Sequence, residues 1–438
     1  MKLRSLVPFG ALVLVASGAR ADESGMPPWS ERAEVPPPSW AKTVVPHRAE
    51  VPVYTTPGYG HSTSAAAPLV RRGTLTPFAR VPFFGSMRGP HCPGRWYNIG
   101  ALAWVCSDDV EFSPEPRSPS LLPAPGGDGL PYRYYFVGPE GATAYPTFEH
   151  AGDEAPDQTL EKGWSLPIVE QRRKGNDIWG RSRAGKWINM AELGLSRPLA
   201  FHGAELSEGR IDVGWVTADS APTFTAPRVG KRGSEKLPRF FQVRIYEEKR
   251  EAGMSFYRIS EAEGEAAPSA KWVQSTHIAR PTLASPPPEV SGAAFGERWI
   301  DVELTSQTLT AYEGRTPVFA TLVSTGKGAR GTDTATPPGI HRIWVKLFTT
   351  PMDNLEKPDV EHYYSIEDVP YVQFFDKGVA LHAAFWHRNL GRVQSHGCVN
   401  LAPLDAERLF RFTAPHLPNG WDAALPTALE PGTWVRVH

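Results

Sequence analysis

The 438-residue chain reads as a mainly β protein: small β modules in tandem, then a larger C-terminal β domain carrying a short helix. Three observations predict this class. The 44 prolines and 40 glycines favour short strands and many turns over long helices. Two aromatic strands about a turn recur three times before residue 282. Period-two alternation returns in the last third, where residues 403–412 have helical character. The length allows two to four domains and a sizeable core.

The first 21 residues read as an export signal. Lys2 and Arg4 supply the charge, Leu6 to Ala16 the apolar run, and Ala19-Arg20-Ala21 the small-x-small cleavage site. That run is too short for an ordinary membrane span. No later stretch is apolar enough to be one, so a mature protein starting near Asp22 is expected to be exported; the alternative is an uncleaved N-terminal anchor. A net charge of −1 and a pI near 6.9 give no global basic field for nucleic acid.

Residues 22–47, with Pro36-Pro37-Pro38-Ser39, read as a proline-rich linker. Three modules are expected after it, at 48–112, 131–197 and 198–282. They close with Arg95-Trp96-Tyr97-Asn98-Ile99 and Ala103-Trp104-Val105-Cys106, with Asp177-Ile178-Trp179-Gly180-Arg181 and Lys186-Trp187-Ile188-Asn189, and with Ser255-Phe256-Tyr257-Arg258-Ile259 and Lys271-Trp272-Val273-Gln274. Alternating aromatic and polar residues predict half-buried strands. Segments 113–130 and 283–296 read as linkers by composition. The closing pattern resembles the bacterial Src-homology-3-like small β-barrels attached to cell-wall enzymes. That resemblance implies either spacers or modules that bind glycan strands or stem peptide. The fourteen tryptophans read first as core residues and otherwise as carbohydrate-stacking faces.

Of three cysteines, Cys92 and Cys106 lie in one predicted β unit and are able to bridge, which leaves Cys398 as the odd thiol. An odd cysteine in an exported chain is either reactive or a small buried hydrophobe. Its surroundings favour reactivity. Cys398 stands in Ser395-His396-Gly397-Cys398-Val399-Asn400, and His382 lies upstream in Leu381-His382-Ala383-Ala384-Phe385-Trp386. An imidazole near a thiol takes its proton and remains as the imidazolium partner. Gly397 permits a sharp bend, and backbone N–H groups around Cys398 are placed to face an oxyanion.

This motif with its upstream histidine resembles the active-site signature of the L,D-transpeptidases, the YkuD-type domain, over residues 297–438. The resemblance implies a β-sandwich-like domain with a short helix. Trp299-Ile300-Asp301-Val302-Glu303-Leu304, Thr308-Leu309-Thr310-Ala311-Tyr312 and Val318-Phe319-Ala320-Thr321-Leu322-Val323 supply its opening hairpins. Thr336-Pro337-Pro338-Gly339 resembles a second landmark, a rigid turn shaping the cleft. Segment 348–370, without clear periodicity, reads as a substrate lid or as an ordinary surface excursion. Gly378-Val379-Ala380-Leu381 delivers His382, Pro403–Phe412 is the helix, and Thr433-Trp434-Val435-Arg436-Val437 ends the chain as a strand.

By the same resemblance Cys398 is the nucleophile and His382 the general base and acid, oriented by the carbonyl of Ala383. His396 shapes or polarises the cleft, and Ser395 and Asn400 hold the loop. Many family members carry arginine where Asn400 stands; Arg392 is the candidate substitute. The implied reaction is acyl transfer on peptidoglycan stem peptides, releasing D-alanine and forming a 3→3 cross-link. Attack by water gives an L,D-carboxypeptidase and attack by a protein amine gives wall attachment; a retired, wall-binding domain is the competing class. No cofactor is implied. A zinc site from His382, His387, His396 and Cys398 is the rival, set aside because no H-E-x-x-H or paired C-x-x-C spacing accompanies it. The expected location is the periplasm or cell envelope.

Overall fold

The computed structural model describes residues 37–58, 68–119, 127–153, 155–261, 270–355 and 364–438. The export signal and residues 22–36 of the proline-rich segment lie outside these. Strands predominate, and Pro403–Phe412 is the only α-helix among the described residues. No helix there is long and apolar enough to cross a membrane. The chain divides into two compact units, residues 1–71 with 77–117, and residues 72–76 with 118–438.

In the first unit, Thr43–Pro46 pairs antiparallel with Val110–Ser113. Trp96–Gly100 lies between Gly85–Met87 and Ala103–Cys106. Alternation along the hairpin buries Trp96 and Trp104 beside Cys92 and Cys106, which form a disulfide. So small a core gains from a covalent tie, which restricts the unfolded chain.

The second unit contains everything from residue 118 onward, so the second and third modules pack with the C-terminal domain. Residues 131–197 form seven short strands around Tyr135, Val137, Ala144, Leu166, Ile168 and Ile188. Residues 198–282 form two small sheets over one core of Val216, Ala221, Leu237, Val243, Val273 and Ile278. Their strands from Val213 onward fall into a three-stranded sheet (Val213–Val216, Gln242–Arg244, Ile278–Ala279) and a five-stranded one holding both aromatic strands. The chain switches sheets after Pro238, where Phe240 takes a left-handed φ of 68°. The expected linker 283–296 is packed: Val290 is buried against Trp299 and Tyr312.

The C-terminal domain is a two-sheet sandwich. We label its elements β1 (Arg298–Glu303), β2 (Thr308–Glu313), β3 (Thr316–Leu322), β4 (Gly339–Arg342), β5 (Val345–Asp353), β6 (Ser365–Asp376), β7 (Val379–Ala383), β8 (Val399–Leu401), α1 (Pro403–Phe412), β9 (Trp421–Ala424) and β10 (Trp434–Val437). The first sheet runs β3-β2-β1-β10-β4, with β1 and β10 parallel. Ala204–Glu205 adds an edge strand to β3. In the second sheet β5 lies between β9 and β6, β6 pairs with β7, and β7 pairs in parallel with β8. Ile300, Val302, Leu309 and Phe319 of one sheet meet Phe348, Tyr371, Phe375, Leu381 and Val399 of the other. Ala406, Leu409 and Phe410 of α1 close this core.

Two buried polar groups tie α1 down. Asp405, fully buried, accepts from Gly203 N–H at 2.9 Å, from Thr321 Oγ1 and from His202 Nδ1 at 2.7 Å. Sequence alone suggested only a favourable charge in the first turn. Lys346 on β5, also fully buried, donates to the carbonyls of Phe410 and Thr413 at the other end of the helix, where carbonyls lack intrahelical partners.

Candidate active site

Strand alternation sets the site. On β7, Leu381 and Ala383 point into the sandwich core, so Ala380 and His382 face outward. On β8, Val399 and Leu401 point inward, so Cys398 and Asn400 share the outer face with His382. The parallel register sets Leu381 beside Val399 and His382 beside Asn400. Cys398 therefore stands level with Ala380, one side-chain step from His382.

The turn before Cys398 is held from several sides. Ser395 Oγ donates to Cys398 O at 2.5 Å and accepts from Gly397 N–H at 3.1 Å. Thr336 Oγ1, from the Thr-Pro-x-Gly landmark, donates to Gly397 O at 2.7 Å and accepts from Gly326 N–H at 2.8 Å. Gly397 has φ 128°, a region L side chains rarely adopt, although a Cβ there would meet nothing closer than 3.5 Å. Backbone conformation, rather than space, requires the glycine.

His382 is 2 % exposed, and its Nδ1 lies 2.9 Å from Ala383 O. A carbonyl only accepts, so Nδ1 carries the proton and Nε2 keeps its lone pair. Burial, opposed by the Ala383 bond and aided by nearby His387, brings the imidazole pKa down to about 4. The imidazole is thus neutral near pH 7. Burial pushes the Cys398 thiol up, partly offset by a backbone bond from Ala380. The resting pair is thiol and neutral imidazole, with the imidazole in its base form. Cys398 Sγ is directed at Gly378 O, 3.8 Å away, with no hydrogen bond to His382.

Aromatic rings enclose the pair. Trp386 stacks on His382 with centroids 5.7 Å apart, and Phe385 meets Trp386 edge-on at 5.2 Å. His396 is exposed and stacks on Tyr364 of the segment read as a lid or a surface excursion. That segment forms the arms of a long β5–β6 hairpin; residues 356–363 at its end lie outside the described residues.

Asn400 faces His387, with Nδ2 and Nε2 2.8 Å apart as placed. His387 Nδ1 already accepts from Asn389 N–H, so Nε2 must donate and the Asn400 amide presents its oxygen. The Asn400 backbone also pairs both ways with Ser324. Arg392 donates to Thr217 O at 3.2 Å and Asp219 at 2.9 Å, and these bonds account for its charge without a substrate carboxylate. Sequence reasoning missed the Trp386 stack, the Thr336 bond and the His387–Asn400 pair. Only the aromatic run Phe385-Trp386-His387 beside the motif hinted at them. A cavity of about 590 Å³ is lined by Thr325, Gly326, Arg330, Thr336 and Val393 among others; neither Cys398 nor His382 lines it.

The β-sandwich sets an outward thiol beside a carbonyl-oriented histidine, the two groups that thiol acyl transfer requires. Residues 297–437 match the YkuD family, described as the L,D-transpeptidase catalytic domain. No curated protein matches the chain. Among solved structures, a mutant Enterococcus faecium L,D-transpeptidase is 22% identical over 32% of this chain and 50% of its own, with TM-score 0.24. The L,D-transpeptidase from Stackebrandtia nassauensis is 28% identical over 32% and 55%, with TM-score 0.22. L,D-transpeptidase 3 from Mycobacterium tuberculosis, in complex with a faropenem-derived adduct, is 16% identical over 42% and 91%, with TM-score 0.26. The chain spans about half the length of the first of these.

Proposed function

We propose that this protein is exported to the cell envelope and transfers acyl groups between peptidoglycan stem peptides, with Cys398 as nucleophile and His382 as base and acid. The observation that carries this reading is the shared outer face of β7 and β8, where His382 keeps Nε2 unprotonated one side-chain step from the thiol. Sγ rests toward Gly378 O and has to turn toward that nitrogen for the proton transfer. His382 removes the thiol proton as sulfur attacks the carbonyl of the third stem residue. Cys398 N–H is the oxyanion donor of choice, because Gly397 N–H already serves Ser395. The C–N bond breaks, and D-alanine leaves with the proton from His382. An amine of a second stem then displaces the thiolate and completes a 3→3 cross-link; water in its place gives carboxypeptidase action.

The test incubates the full chain with a disaccharide tetrapeptide and reads products by mass spectrometry. Loss of D-alanine with dimer formation is expected, and Cys398→Ala should reduce the rate at least about a thousandfold. Equal behaviour of wild type and Cys398→Ala would replace this reading with wall binding.

A further inference from the structure

The second module is joined to the hairpin that borders Cys398. Thr350 pairs with Val369 and Met352 with Ile366, so β6 carries one extra residue there. Pro351, opposite, lacks an N–H to pair, and the bulge falls on Glu367 and Asp368. Asp368 and Tyr371 both take left-handed φ, 53° and 61°. Such conformations persist where surrounding contacts over-determine them.

At Asp368 those contacts come from residues more than 180 positions upstream. Tyr134, 1 % exposed, donates its hydroxyl to Asp368 O at 2.6 Å. Arg183 donates to Asp368 Oδ1 at 2.6 Å and Thr349 Oγ1 at 2.8 Å, which joins both arms of the hairpin. Ser165 of the module pairs with Ile366. From the same tyrosine a train of rings leads to the base: Tyr134 lies 4.2 Å from Phe385, which meets Trp386, which stacks on His382.

We propose that the second module is a wall of the active site and that Tyr134 and Arg183 are positioning residues. They hold the β6 arm whose neighbour Tyr364 stacks on His396, and through Phe385 and Trp386 they keep His382 dry and aligned. The module is thereby a working part of the transferase domain and not a spacer. This inference rests on the acyl-transfer reading above.

The test uses the full chain with Tyr134→Phe, Arg183→Ala and Arg183→Lys, and with Arg172→Ala as a control on the module's far contacts with Phe148 and Trp187. Tyr134→Phe keeps the ring and removes only the hydroxyl. Two readouts are taken: kcat and KM for D-alanine release, and the pH profile of Cys398 alkylation by iodoacetamide. Misplacement by a fraction of an ångström should lower kcat about tenfold in Tyr134→Phe and Arg183→Ala with KM within about twofold. Arg183→Lys should recover most of the loss, and the acid limb of alkylation should move up toward the free-imidazole range as water reaches His382. Alkylation and kcat within about twofold of wild type in both variants would overturn the proposal, as would a loss that merely follows the unfolded fraction. If wild type releases no D-alanine, the acyl-transfer reading fails, while alkylation still decides whether the module positions the pair.

Discussion

Burial sets the chemistry of each residue at the site. His382 is neutral because a buried imidazolium would lose its hydration, and its pKa of about 4 lies below the ordinary 6.5. The base form is therefore present through the neutral range. We expect kcat/KM for D-alanine release, measured from pH 4 to 9, to show an acid limb well below pH 6 and a rise toward alkaline pH as the thiol ionises. An acid limb centred near 6.5 would mean an imidazole in contact with water. The same shift links folding to pH. The unfolded state binds more protons than the folded one between about pH 4 and 6.5. His382 thus contributes stability fully above pH 6.5, and that contribution is lost as pH falls through 4. His387, lowered by burial to about 4, acts in the same direction.

At the scale of elements, α1 is held at one end by Asp405 and at the other by Lys346. The lysine lies over the Phe410 ring, and burial lowers its pKa from 10.5 to about 7. Here the unfolded state binds more protons between pH 7 and 10.5, so stability should rise with pH across that window. Lys346→Met keeps the volume but leaves two helix-end carbonyls without a donor. It should cost about 1–3 kcal/mol at pH 9 and flatten the dependence between pH 7 and 9. Urea unfolding at the two pH values checks both; an unchanged slope would show that the amine does not titrate in the folded state.

Over the whole of the second unit, the boundary of the family match is not a boundary of packing. The sheet edge at β3 takes Ala204–Glu205, Asp405 takes two donors from His202 and Gly203, and the β6 bulge takes Arg183 and Tyr134. Residues 297–438 alone lose all of these. Their thermal midpoint should fall below that of residues 118–438 by on the order of 5–10 °C. Equal midpoints in differential scanning calorimetry would show that the modules dock without stabilising the catalytic fold.

What the sequence determined by itself was local. Side-chain pattern marked strands at 299–304, 308–312, 318–323, 378–381 and 433–437, which form within one to two residues of those bounds, and charge placement marked the helix at 403–412. A fixed motif marked Cys398, its turn and an upstream histidine as candidates. These signals survive without context because side-chain period and turn chemistry are properties of a few neighbouring residues. Tertiary structure decided what depends on distant partners. Only the β7–β8 register brings His382 and Cys398 to one face, and only burial makes both neutral. Arg392 went to Asp219, 173 positions away, and Asp405 to Gly203, 202 positions away. The split of the third module into two sheets and the docking of the second on the β5–β6 hairpin arise the same way. Hydrogen bonding and desolvation act between atoms brought together in space, and no pattern along the chain encodes which distant donor will meet a buried acceptor.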